Sequence, residues 1–233
     1  MQRENGYDAV RFLRRAEALD ANPYVLKLLA VAYYTLRQFR LFTLKMNEAM
    51  RRQPDDFAPY YYLGRYCVSD EVTNWDQAAE YFQRAIKCNP KHFQSYYYLG
   101  YCYEVKSKLT DAERLYRQAT ALADSTSARF VLSYEGMARL RLLENRPADA
   151  LPFAKRAVEL APNDAAGHAA LARAYVALGR RAEAIPEWDH AATLNPTDAS
   201  PYYHLYRLYL EMGNDKMAKS AYAKFKRLSA MYK

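Results

Sequence analysis

A large residue opening a helix-spaced apolar pattern returns along this chain at close to every 34th position. It stands at Leu26, Tyr60, Tyr96, Tyr134, His168 and Tyr202, at intervals of 34, 36, 38, 34 and 34 residues. Three residues on lies a second column, Leu29, Leu63, Leu99, Met137, Leu171 and Leu205, and beside it a small one, Ala30, Gly64, Gly100, Ala138 and Ala172. Further small columns follow in a second helical pattern, first Ala78, Ala112, Ala150, Ala184 and Ala218, then Ala49, Ala85, Ala119, Ala157 and Ala191. Pro54, Pro90, Pro162 and Pro196 close four copies. One such copy cannot bury its apolar face alone, so the period itself demands stacking of copies into one elongated all-α array.

The copy over residues 93–124, FQSYYYLGYCYEVKSKLTDAERLYRQATALAD, shows the unit most fully. Tyr96, Leu99, Gly100 and Tyr103 share one helical face, and Ala112, Tyr116 and Ala119 share another. Thr110 followed three residues later by Glu113 predicts a capping box where the second helix begins. This order of aromatic, Leu, Gly, Tyr, Ala, aromatic, Ala and Pro resembles the tetratricopeptide repeat, over nearly the whole chain. The resemblance implies an all-α, right-handed superhelical solenoid of helix-turn-helix repeats, residues 1–233 forming a single domain.

Within it, residues 7–22 match only the second helix of a repeat and read as a half repeat or capping helix, or as the edge of a longer array. Six repeats follow at 23–56, 57–92, 93–126, 131–164, 165–198 and 199–233. In the first, Phe42 and Met46 stand in the alanine and aromatic columns, which predicts looser or shifted packing. The second is lengthened around residues 69–74, after which Asn74 and Gln77 form a capping pair. Residues 125–130 form a connector and the expected place for a bend. The fourth repeat carries Arg141 for the usual Tyr and Ala154 for an aromatic, so the softest packing is expected there. In the fifth, Trp188 supplies the aromatic, and Pro152 and Pro186 fall early in second helices, where a proline costs little. The sixth departs at Tyr206, in the small column, and at Phe225, where a small residue would receive another helix; the array is expected to stop here, leaving Leu228 and Met231 exposed.

Composition narrows the function classes. The net charge of +8 sits at the two ends, since residues 1–56 hold 10 basic and 7 acidic side chains and residues 199–233 hold 7 and 2. The balanced middle is unlike a uniformly basic nucleic-acid domain. Cys67, Cys88 and Cys102 form no CxxC pair and read as thiols in helix packing. No apolar run reaches the length of a membrane span, and residues 1–10 lack a signal-peptide core. The chain reads as soluble, with the cytoplasm favoured and an exported or trimmed fragment left open.

In proteins of the resembled family the first helices line a concave groove that binds an extended peptide or a partner's helix. The position after the small column should face it, and reads Val31, Arg65, Tyr101, Arg139, Arg173 and Arg207. Four residues earlier on that face stand Lys27, Tyr61, Tyr97, Glu135, Ala169 and Tyr203. Guanidinium groups and phenol rings suit carboxylates, phosphates and extended main chain. The candidate partner-binding residues are therefore Lys27, Tyr61, Arg65, Tyr97, Tyr101, Arg139, Arg173, Tyr203 and Arg207. The other reading is internal ion pairing, with Glu135 one turn before Arg139 as the obvious case. In the runs of three tyrosines, Tyr60 and Tyr96 are framework, Tyr61 and Tyr97 face the groove, and Tyr62 and Tyr98 pack between copies.

A carboxylate clamp of the chaperone-tail kind is rejected, because Val31 and Tyr62 replace its asparagines and Gln94 and Tyr98 its basic pair. Catalysis finds little support. His92, His168, His190 and His204 are scattered, His168 reads as a packed imidazole in a structural column, and no HExxH, GxSxG or phosphate-binding Gly loop is present. The expectation is a non-enzymatic scaffold without cofactor or metal, binding an acidic segment of another protein. The alternatives are single-stranded nucleic acid stacked on the tyrosines, and a substrate-holding segment of a larger enzyme or secretion assembly. The partner's identity and the oligomeric state are left open.

Overall fold

In the computed structural model the described residues are 2–126 and 130–231, with side chains from residue 6 on. Part of the 125–130 connector, where a bend was expected, lies outside them. The described residues form thirteen helices and no strand. They are α1 (Gln2–Leu19), α2 (Pro23–Thr35), α3 (Phe39–Arg52), α4 (Phe57–Cys67), α5 (Trp75–Cys88), α6 (Phe93–Val105), α7 (Leu109–Ser125), α8 (Val131–Leu143), α9 (Pro147–Leu160), α10 (Ala165–Ala177), α11 (Arg181–Leu194), α12 (Ser200–Glu211) and α13 (Asp215–Met231). By contact they divide into two compact units, 1–115 and 116–233.

The copies are helical hairpins, and in five of them the turn repeats one device. Arg37, Ser107, Asn145, Gly179 and Gly213 all take left-handed backbone, with φ between 56° and 73°. The next residue's N–H returns to a carbonyl of the ending helix, as in Gln38 to Tyr33 (2.9 Å), Lys108 to Tyr103 (2.8 Å) and Arg180 to Tyr175 (2.9 Å). This closes the orphan carbonyls in a Schellman motif. Glycine suits that backbone at Gly179 and Gly213, where nothing approaches the missing Cβ. Because Ser107 turns the chain so tightly, α7 starts at Leu109, with Ala112 N–H bonded to the Lys108 carbonyl (3.0 Å). Thr110 and Glu113 therefore fall inside the helix and are not its capping box. The other expected cap forms, Asn74 Oδ1 accepting from Gln77 N–H at 3.1 Å.

Three first helices, α2, α4 and α10, start on acidic or amide caps, with Asn22, Asp56 and Asp164 accepting from Val25, Ala58 and Ala166. In three copies the opening column then ties the hairpin to the closing proline six residues upstream. Tyr60 donates to the Pro54 carbonyl (3.1 Å), Tyr96 to Pro90 (3.1 Å), and His168 Nε2 to Pro162 (2.9 Å).

In the first unit, Leu29, Ala30, Tyr33, Phe42, Met46 and Leu63 share a core. Phe42 and Met46 are 2% and 0% exposed, so the first repeat is not loosely packed. The aromatic has moved one turn up the helix and methionine fills the vacated volume, with Tyr34 and Tyr66 edge-on to Phe42 at 5.2 and 5.4 Å. Gly64 lets the Phe82 ring close in, since a Cβ there would lie 2.8 Å from it. In the second unit Ala138, Ala154, Leu171, Trp188 and Leu205 belong to one cluster. The fourth repeat, expected to be soft, is also closed, for Ala154 is fully buried and the buried Arg141 pairs with Glu144 at 2.6 Å.

Candidate binding faces

The side chains expected in the groove do not all reach a free surface. Lys27 is spent on an ion pair with Asp56, the residue that caps α4. Tyr61 packs edge-on against His92 (4.7 Å), and its phenol accepts from Arg65 at 3.3 Å. Tyr97 is 7% exposed and so does not line a surface. Its neighbour Tyr98 packs between copies as expected, stacked on Phe82 at 5.4 Å, and also carries the Arg65 guanidinium 4.9 Å over its ring, while Tyr61 carries it at 5.9 Å. Burial opposes the charge of Arg65, yet the Tyr61 hydroxyl and the Tyr98 ring leave its pKa raised. Arg65, Val31, Tyr34, Phe42 and Tyr62 line a shallow cavity of about 110 Å³. Tyr101, half-buried, lies edge-on to Trp75 at 5.6 Å.

The second unit carries the larger cavities. Sequence explains the first, because Ala169 stands where Lys27, Tyr61 and Glu135 stand in other copies. Those side chains reach the residue preceding the next first helix, so Lys27 meets Asp56, Tyr61 meets His92 and Glu135 meets Asp164. Ala169 cannot reach Asp198, and a space of about 230 Å³ lies among Glu135, Arg139, Ala169, Arg173, Asn195 and Asp198. Asp198 is turned toward Ser200, accepting from its N–H at 2.8 Å and its hydroxyl at 2.9 Å.

Arg173 also borders a second cavity of about 210 Å³, with Trp188, His204, Arg207 and Glu211. Its guanidinium lies 5.6 Å over the buried Trp188 ring, against which His204 stacks at 4.2 Å. Burial, and then the charge of Arg139, hold Arg173 below the usual arginine range, with Asp198 only partly offsetting them. Among the described residues no carboxylate forms an ion pair with Arg173. Burial, Arg173 and Arg207 likewise depress His204. Arg207 has a long contact of 3.9 Å with Glu211, and exposed Tyr203 sits by Phe225 at 5.3 Å. The Tyr206 ring meets Tyr222 at 4.8 Å, so the departure from the small column is absorbed by an aromatic cluster.

Glu135 does not make the expected pair with Arg139. Arg139 donates to the Tyr116 phenol at 3.2 Å. Glu135 is buried, hydrogen-bonded to the Asp164 carboxylate, and leaves Oε1 without a partner. Burial, followed by Asp164, pushes its carboxyl up to about 8, with Arg139 the smaller opposing effect. Glu135 therefore favours its protonated form at neutral pH. Sequence reading missed Asp164, Asp198 and the stacking of His204 on Trp188. The signal for the two aspartates lay in the residues just before first helices, a regular distance beyond the groove column.

Helical hairpins repeated in this way define a class of repeat proteins that act as interaction scaffolds. Family models described as tetratricopeptide repeat match residues 71–127 and 141–189. The chain is a tetratricopeptide-repeat protein. The Cut9–Hcn1 hetero-tetramer of APC/C shares the fold at a TM-score of 0.85 and 14% identity, over 98% of this chain and 44% of that one. Pseudomonas aeruginosa PilF gives 0.76 at 15% identity, over 90% and 92%. YrrB, described as a tetratricopeptide-repeat protein with an unusual peptide-binding site, gives 0.58 at 20% identity, over 78% and 91%. No curated protein sequence matches. The fold is that of a protein–protein interaction scaffold, and proteins built from this repeat are generally non-enzymatic. No described helix is long and apolar enough to cross a membrane.

Proposed function

We propose that this protein holds an acidic, carboxylate-bearing segment of another protein against its Arg and Tyr faces, without chemistry. The observation that carries the reading is Arg173. A guanidinium pressed against Trp188, repelled by Arg139 and lacking an ion-pair partner among the described residues is electrostatically incomplete. A carboxylate in the adjoining cavity would form charge-assisted, bidentate hydrogen bonds with it and relieve that repulsion. Arg65, cradled by Tyr61 and Tyr98, offers a second anchor in the first unit, where an aromatic rim favours extended main chain. YrrB's described peptide-binding site makes a peptide ligand a reasonable class.

The test is fluorescence anisotropy with labelled acidic, neutral and basic extended peptides, on wild type and on Arg173→Glu and Arg65→Glu. Acidic peptides should bind in a salt-sensitive way, and Arg173→Glu should weaken them at least about tenfold with circular dichroism unchanged. Equal affinity for the variant, or no preference for acidic peptides, overturns the assignment. An oligonucleotide that outcompetes them would move the reading to single-stranded nucleic acid.

A further inference from the structure

In the copies opened by Tyr60 and Tyr96, the phenol donates one hydrogen bond to the closing proline carbonyl, and its polar role ends there. In the fifth copy His168 makes the same bond through Nε2 to the Pro162 carbonyl. A carbonyl can only accept, so Nε2 carries the proton and Nδ1 is the remaining nitrogen of the ring. That nitrogen faces Glu187 Oε2 at 2.6 Å. On a neutral ring two lone pairs would face each other, so the contact requires a proton or a cation between them.

A proton would suffice for two groups, but a third ligand stands beside them. His190, one turn beyond Glu187 on α11, places its ring 5.1 Å from that of His168. In two other copies the corresponding residue is a cation near the opening ring, Arg84 over Tyr60 and Lys224 over Tyr202. Here an imidazole replaces it. One ligand atom from each of His168, Glu187 and His190 lies within 4.8 Å of the others.

We propose that His168 Nδ1, Glu187 and His190 form a binding site for a divalent transition metal of the zinc class. Two imidazoles and a carboxylate suit Zn²⁺, with water as fourth ligand. Tetrahedral ligands stand about 3.4 Å apart. His168 and Glu187 must therefore separate by less than about 1 Å, and exposed His190 is free to swing inward. The Pro162 carbonyl is the outer partner that orients a metal-binding imidazole and fixes its tautomer.

The site is tested by titrating Zn²⁺ into the full chain, by calorimetry and by thermal melting, against His190→Ala and His168→Tyr. The second variant restores the residue of neighbouring copies, keeping the proline bond while deleting Nδ1. Wild type should bind one equivalent and melt higher with Zn²⁺, and both variants should bind at least about tenfold more weakly while remaining folded. Cobalt(II) should give a nitrogen and oxygen ligand spectrum without thiolate charge transfer. No saturable binding, undiminished affinity in His190→Ala, or binding lost on alkylating Cys67, Cys88 and Cys102 overturns the site.

Discussion

Replacing Glu135 by Gln isolates a buried carboxyl whose pKa the fold raises. Its folded pKa of about 8 lies above the ordinary 4.5, and burial is the first cause. Between those values the folded state binds a proton that the unfolded state has lost, so stability falls as pH rises across the window. The contribution is fully present below the unfolded value and gone above about 8. One proton corresponds to about 1.4 kcal/mol per pH unit, which from about pH 5 to about pH 7 sets a ceiling of about 3 kcal/mol. An ionised Glu135 would relax toward Arg139, so about 1–2 kcal/mol is expected in practice. Gln keeps the shape and a donor for Asp164 but cannot ionise. Urea denaturation at several pH values should therefore show the two proteins nearly equal at about pH 5, with Glu135→Gln increasingly more stable toward about pH 8. Parallel pH profiles would refute the reasoning, as would a wild type that gains stability relative to the variant on the alkaline side.

Two other substitutions probe the repeat itself. Ser107→Gly relieves a left-handed residue at φ 58°, worth about 1–2 kcal/mol, against an unfolded-state entropy cost of about 0.4–1 kcal/mol. A net gain of about 0.5–1 kcal/mol in denaturant midpoint is expected, and a loss would show that the turn is not strained. Gly64→Ala would drive a methyl to 2.8 Å from the buried Phe82 ring, and should cost about 1–3 kcal/mol by thermal melting. An unchanged midpoint would mean that Phe82 yields freely.

The large and small columns were legible in the sequence because they report contacts that every copy must make. The hairpin turns were not, since Arg37, Ser107, Asn145 and Gly179 share a backbone angle and no chemistry. Volume exchange hid the first repeat's packing, because Phe42 and Met46 each look wrong alone and fill the core together. At the candidate site, the column arithmetic identified Arg65, Arg139, Arg173 and Arg207 but could not say what stood opposite them. Neighbouring residues on a helix lie about 100° apart, so column counting could not tell that Tyr97 would be buried while Tyr98, stacked on Phe82, also reaches Arg65. Glu135 looked like a partner for Arg139 by spacing, and burial beside Asp164 sent it elsewhere.

Stacking occupies the column residues of a repeat, so whatever distinguishes one copy must come from positions where it departs from its neighbours. Two departures are adjacent in the fifth copy. Ala169 withdraws the side chain that elsewhere reaches the next cap, and the cavity beside Arg173 opens in its place. His168 keeps the column's bond to the closing proline, and its second nitrogen is surplus to that role. Neither change weakens the hairpin, because Leu171, Ala172, Ala184 and Trp188 remain buried around them. Successive helical residues point in different directions, so one departure faces the cavity and the other faces Glu187 and His190 on α11. The two proposals therefore rest on separate atoms of one copy. Filling the space at Ala169 tests the peptide site without touching the metal ligands, and His168→Tyr does the reverse.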